Sequence, residues 1–260
     1  MEIETSFAGI LPERDGKPRS RGLTMMIDWG LPVGHQTDVI ESVGYYVDIA
    51  KIAGTIAGLM PKTVLEKKLA NYAASGIKTS PGGLFAEYAI LNNSLETYFE
   101  QAAQLGFSAV EISDNLVRWD LETKQATIRN ARQNYGLTVI GEVGRKDAAM
   151  EDSYVLQDIE ACFNAGASSV YIEAYELFAG ETIREDLVAS IERNFDDQTI
   201  IYELPVVVLP GISREFKHRV STWMIAKFGG DVNLANVEWD EVWMTEMLRR
   251  RAADNLEVTD

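Results

Sequence analysis

Short apolar runs alternate with longer amphipathic stretches along almost the whole chain. The apolar runs 23–28, 45–53, 77–80, 109–113, 138–143, 169–174, 199–204 and 232–237 predict strands. The stretches 37–44, 61–75, 92–105, 120–135, 153–165, 182–194, 212–227 and 238–252 predict helices. Asn93-Ser94 and Asp152-Ser153 supply helix starts, while Ser75-Gly76, Leu105-Gly106, Tyr135-Gly136 and Ala165-Gly166 supply helix ends. Strands that alternate with helices pair in parallel, and eight such units predict a (β/α)₈ TIM barrel, here one domain over residues 1–260. Residues 1–22 read as an extended lead-in and 253–260 as a tail. An open doubly wound sheet is the alternative, and it lacks the Gly-x-Gly-x-x-Gly turn expected after its first strand.

Charge placement within the strands carries the first chemical signal. Asp28, Glu111, Glu142, Glu173 and Glu203 all fall inside or at the end of apolar runs. A carboxylate in a strand buried on both faces is costly unless it is paired, hydrogen-bonded or bound to a metal. Barrel active sites lie at the face where strands end. The five acids, with Lys51, Lys146 and Asn233, are therefore expected to converge there, and a divalent cation is the simplest reason to gather them.

Bulk composition narrows the class. A formal net charge of −16 over 260 residues, with no basic stripe, argues against a nucleic-acid or anionic-membrane partner. Cys162 is the only cysteine, which excludes an intrachain disulfide and a thiolate zinc site, and it reads as a small core residue on a helix. Met-Glu-Ile-Glu lacks a signal-peptide pattern and no apolar stretch is long enough to span a membrane, so a cytoplasmic protein is expected.

Ordered motifs then point to a family. Lys17-Pro18-Arg19 with Gly22-Leu23-Thr24, Asp28-Trp29-Gly30, Asp48-Ile49-Ala50-Lys51 and the run Pro81 to Glu87 resemble phosphosulfolactate synthase. So do Val110 to Asp114, Gly141 to Asp147, Tyr171 to Ala174 and Val232 to Asn236, in the family's order. The resemblance implies a (β/α)₈ fold and a lyase that adds sulfite to phosphoenolpyruvate with Mg²⁺. Plant heat-stress-associated relatives share the fold without a settled reaction. On this reading Glu111, Glu142 and Glu173 gather Mg²⁺, whose hard character suits oxygen ligands. Lys146 matches the family lysine proposed as proton donor, and Lys51 orients the substrate carboxylate. Asp28, Glu87, Glu203, Asn233, Tyr175 and Arg214 are the expected substrate contacts, the substrate being a small carboxylic acid.

The departures fall where a phosphate would bind. The family's Glu-Ala-Arg-Glu-Ser-Gly is here Glu173-Ala174-Tyr175-Glu176-Leu177-Phe178, and Glu203-Leu204-Pro205 runs into Val206-Val207-Val208-Leu209 without a cation. Arg214 is the available replacement cation, with N–H groups at Gly211 and Ser213. An unphosphorylated, more apolar substrate is thus the second enzymatic reading, and a non-catalytic binding or assembly barrel the third. Ordinary roles remain open for each residue. Asp28 can cap the loop 29–36, Glu87 can complement a helix dipole, Glu203 can shape a turn, and the acids can pair with Lys51 and Lys146. His35 in the first loop can move a proton, whereas His218 reads as surface. Leu177, Phe178 and Val206 to Leu209 line either a pocket or a subunit interface, and Trp223, Trp239 and Trp243 read as core or interface. A homo-oligomer is compatible with these apolar residues. Arg249 to Arg251 read as a solvated helix end.

Overall fold

A computed structural model describes residues 7, 9–145, 149–179, 182–196, 199–208 and 210–252. All of the predicted strands form. They are β1 (Thr24–Asp28), β2 (Ile49–Ile52), β3 (Lys78–Pro81), β4 (Ala109–Ile112), β5 (Thr138–Val143), β6 (Ser169–Glu173), β7 (Ile200–Glu203) and β8 (Leu234–Glu238). They pair in parallel in the order β3-β2-β1-β8-β7-β6-β5-β4. The remaining seam is bridged by Ser108 N–H, which donates to Thr79 O at 2.9 Å, so the sheet is a nearly closed (β/α)₈ barrel.

Besides a single helical turn at Ile56–Leu59, the helical layer has α1 (Val33–Val43), α2 (Lys62–Ala74), α3 (Gly83–Leu91), α4 (Leu95–Leu105), α5 (Leu121–Tyr135), α6 (Asp152–Ala165), α7 (Glu185–Asn194), α8 (Arg214–Phe228) and α9 (Val242–Arg249). Left-handed Gly106, Gly136 and Gly166 end α4, α5 and α6 as the sequence predicts. Helix α3 is an addition. Its residues read as a Pro-Gly-Gly turn with an apolar sequel, because Leu84, Phe85, Ala86, Ala89, Ile90 and Leu91 give no polar face to define a helical period. A short antiparallel ribbon, Phe178–Ala179 with Thr182–Ile183, occupies the start of the predicted helix 182–194. The predicted tail, 253–260, lies outside the described residues.

Side chains alternate between the barrel lumen and the helical layer. One lumen layer is apolar and takes a residue from most strands: Met25, Ile49, Ala109, Ile140, Tyr171, Ile201 and Ala235. The larger core, between sheet and helices, includes Met26, Ile52, Val110, Ile128 and Val170. The opposite mouth, where strands begin, is tied to the lead-in. Arg14 donates to Glu246 and to Gly22 O, Lys17 to Gly44 O, and Arg19 to Tyr45 O and Asp48. Arg249 is buried there, donating to Gly230 O, Val232 O and Leu23 O. It is not the solvated end expected of it, because those strand-start carbonyls need a donor.

Candidate active site

The apolar lumen layer fixes what comes next. Two residues further along the same strands, on the same face, stand Lys51, Glu111, Glu142, Glu173 and Glu203. Ser80 joins them through its register with Lys51 on the neighbouring strand. An apolar floor is thus overlaid, toward the mouth where strands end, by a layer dominated by charge. The other side of that mouth is apolar: Ile27, Ala53 and Val206 cluster together with half-buried Ile56.

Within the charged layer, one oxygen from each of Glu111, Glu142 and Glu203 lies within 4.8 Å of the other two. Lys51 Nζ bridges Glu111 at 2.9 Å and Glu203 at 2.5 Å, and rests over the Tyr171 ring, 4.7 Å from its centroid. Burial alone would lower the Lys51 pKa, but Glu111, Glu203 and Glu142 outweigh it and hold the ammonium well above its ordinary value. Burial raises the Glu111 pKa, with Lys51 opposing and Glu203 adding to the rise. Glu111 also accepts from Ser80 Oγ at 2.6 Å and from Gly83 N–H at 3.1 Å. Gly83 opens α3, so a helix N-terminus is aimed at the cluster. A side chain at Gly83 would collide with Ser113 and crowd Glu142 Oε2, which is why this approach needs glycine. Asn115 Nδ2 donates to Glu142 at 2.7 Å.

The expected site residues divide on these grounds. Lys51, Glu111, Glu142 and Glu203 come together, and Glu173 stands beside Glu203 in strand register. The third member of the carboxylate trio is thus Glu203, expected as a substrate contact, and not Glu173. Asp28 does not join them. One residue past the lumen-facing Ile27, it points into the helical layer, where it pairs with Lys68 at 2.8 Å, accepts from Tyr72 Oη at 2.7 Å, and caps Gly30 and Leu31 N–H. Asn233 precedes β8 and lies at the opposite mouth, joining Leu23 N–H to Ile200 O, each at 2.8 Å. Its place at the start of a strand, not the end, decides this.

Glu87 is buried on α3 and accepts from Ser113 Oγ and from Asn115, Leu116 and Val117 N–H, so it organises the loop after β4. Arg214 is largely exposed and held by Asp240 at 3.0 Å and Glu241 at 3.5 Å. Tyr175 lies half-buried in the turn Ala174–Leu177 after β6. Lys146 lies outside the described residues. Of the apolar residues in doubt, Leu177 is buried in the core, Phe178 packs on Trp223, and Val206 joins the mouth. Ser80, Asn115, Tyr171 and Glu176 were not singled out from sequence. Only contacts made in the folded barrel identify them: Ser80, Asn115 and Tyr171 by the acids and the lysine of the layer, and Glu176 by Arg145, Met150 and Arg184.

The donor set answers what the trio can hold. The trio against Lys51 carries a formal charge of −2, and Glu173, buried in the same layer, adds a further negative charge, a balance that a divalent cation would largely offset. All three donors are oxygen, the preference of a hard cation.

The family model described as (2R)-phospho-3-sulfolactate synthase matches residues 12–254. The chain belongs to the phosphosulfolactate synthase family. It is 33% identical over 241 residues to the phosphosulfolactate synthase of Methanocaldococcus jannaschii, covering 88% of this chain and 91% of that one. Identity to the Methanothermobacter thermautotrophicus enzyme is 31% over 258 residues, with 94% and 95% covered. Among solved structures, 3-hexulose-6-phosphate synthase from Salmonella typhimurium superposes with a TM-score of 0.55 at 13% identity, covering 89% of this chain and 100% of that one, a likeness of fold alone. Phosphosulfolactate synthases are enzymes of the lyase type that act on small molecules, and this member of the family is read as one. No described helix is long and apolar enough to cross a membrane.

Proposed function

We propose that this protein adds sulfite to the enoate of phosphoenolpyruvate, using Mg²⁺ bound by Glu111, Glu142 and Glu203. The observation that carries the reading is the buried carboxylate trio around Lys51. The sulfite lone pair forms a C–S bond at the substrate's CH₂ carbon, the double-bond pair moves toward the carboxylate, and a proton closes the adduct at the adjacent carbon. When bound, Mg²⁺ supplies Lewis-acid stabilisation of the negative charge that builds on the carboxylate.

The chain's own residues do the rest. Lys51, kept protonated by its acidic neighbours, offers a fixed cation to a substrate carboxylate entering the layer. Ser80, Gly83 N–H and Asn115 hold Glu111 and Glu142 in place, so little reorganisation is needed on binding. Lys146, four residues after Glu142 in sequence, is assigned the proton delivered to carbon.

A second reading is favoured by the apolar half of the mouth. Ile27, Ala53 and Val206 stand where a phosphate would want donors, and Arg214 is already engaged by Asp240 and Glu241. An unphosphorylated, more apolar carboxylate fits those surroundings better. Calorimetric titration of metal-stripped protein decides between them. Mg²⁺-dependent, saturable binding of phosphoenolpyruvate supports the first reading. Mg²⁺ binding that disappears in Glu142→Gln, with silence toward phosphoenolpyruvate, supports the second. Absence of both refutes a metal-assisted enzyme.

A further inference from the structure

Glu176 lies in the turn after β6, outside the trio, and is completely buried. Its carboxylate accepts Arg145 N–H on Oε1 and Met150 N–H on Oε2, each at 2.9 Å. One side chain thus holds both ends of the segment that joins β5 to α6. Arg184 completes the clasp. Its guanidinium pairs with Glu176 Oε2 at 3.0 Å and donates to Glu176 O at 2.8 Å and Met150 O at 2.5 Å, while also reaching Asp152. The carboxylate is therefore fully committed, and its charge is balanced without any ligand.

The clasp also touches the site through the backbone. Gly144, two residues past Glu142, has φ +118°. A Cβ there would stand 2.7 Å from both Glu173 Cβ and Glu176 Cγ, so β6 and its turn press directly on the chain leaving Glu142. Three constraints on one short segment exceed what a surface connection needs.

We propose that Glu176 is a positioning residue that fixes the backbone amides of Arg145 and Met150, on either side in sequence of residues 146–148. The inference rests on the proposed function insofar as Lys146, which lies between those two anchors in sequence, delivers the proton. Misplacing a reacting group by about 1 Å costs on the order of 100-fold in rate.

The experiment compares wild type, Glu176→Gln and Glu176→Ala, with exposed Glu192→Gln as control. It measures kcat and KM for phosphoenolpyruvate with sulfite, Mg²⁺ affinity, and the acetylation rate of Lys146 by peptide mass spectrometry. We expect kcat to fall at least about tenfold in both Glu176 variants with KM and Mg²⁺ affinity within about twofold, and the Lys146 rate to change at least about threefold. The control should change none of these. Equal losses in Mg²⁺ affinity and kcat would make Glu176 a general structural support and overturn the proposal, as would an unchanged Lys146 rate. Glu176→Gln keeps the shape and one acceptor, so it provides the result should Glu176→Ala not fold. If wild type does not turn over these substrates, the proposed reaction fails, and the Lys146 rate alone then decides the positioning role.

Discussion

Replacing Lys51 with methionine tests the electrostatic core of the site. The substitution keeps an unbranched apolar stem beside Tyr171 and removes the only cation found bridging Glu111 and Glu203 among the described residues. The formal charge of Lys51 with the trio then goes from −2 to −3 in a layer that is nearly dry. Removing one partner of a buried ion pair costs about 3–5 kcal/mol. For a chain of this size that lowers Tm by roughly 6–20 °C. The loss must depend on pH. Glu111 already titrates above its ordinary value, and without Lys51 it rises further. A carboxyl whose folded pKa exceeds its unfolded pKa stabilises fully below the unfolded value and loses that stability as pH rises through the folded one. Lys51→Met should therefore be close to wild type near pH 5 and markedly weaker at pH 8. Mg²⁺ at 100 times its Kd should return about 2.7 kcal/mol at pH 8. Urea unfolding at both pH values, with and without Mg²⁺, reads all of this. A deficit of the same size at pH 5 and pH 8 would refute the reasoning.

Three further outcomes follow from residues away from the trio. Burial lifts the Asp114 pKa to about 6, against the pull of Lys124 and with Asp158 adding to it, so its contribution to stability should fade as pH rises from about 4 to 6. Asp114→Asn should flatten that part of the stability curve, and an unchanged slope in urea titrations would show that Asp114 is not the group responsible. Asn233→Ala should cost about 1 kcal/mol in unfolding experiments, since two partly buried backbone groups lose partners, with kcat unchanged because the residue sits at the far mouth. A drop in kcat without loss of stability would place it in the site after all. Glu87→Gln should raise hydrogen exchange at Leu116 and Val117, whose amides both point at Glu87 Oε2. Unchanged protection would mean that other contacts hold the loop.

The barrel was legible because its strands are buried on both faces and so stand out as apolar runs between amphipathic ones. Helix α3 was not, since an apolar helix offers no polar face from which to read a period, and its one charge, Glu87, turns inward. The acids of the site were legible as acids, but not which way each points. Glu111, Glu142, Glu173 and Glu203 share the parity of the lumen layer, whereas Asp28 is one residue out of step with Ile27. A shift of one position in a strand moves a side chain to the other face, and no local pattern around Asp28 marks that shift. Asn233 shows a different difficulty, because as the second residue of the predicted run 232–237 it already stood at a strand start, and the observed strand begins just after it at Leu234.

The misplaced Asp28 exposes a rule that runs around the barrel. Lys68 on α2, Lys124 on α5 and Lys217 on α8 are each almost completely buried, and each reaches from the helical layer to the mouth where strands end. Lys68 pairs with Asp28 and donates to Leu31 O; Lys124 pairs with Asp158 and donates to Glu142 O; Lys217 pairs with Glu238 and Glu241. Replacing such pairs by apolar residues is often neutral or stabilising, so stability alone does not explain three of them. What a long flexible stem with a multivalent donor does provide is a tether between a helix and the strand ends, and for Lys68 and Lys124 a backbone carbonyl is among the groups held. Lys124 is the clearest case, because the carbonyl it holds belongs to Glu142 itself. Glu142 is thus fixed twice, at its carboxylate by Asn115 within the layer and at its carbonyl by Lys124 behind the sheet. That double fixation lets Glu142 stay close to carboxylates of like charge without a rearrangement that would spread them apart.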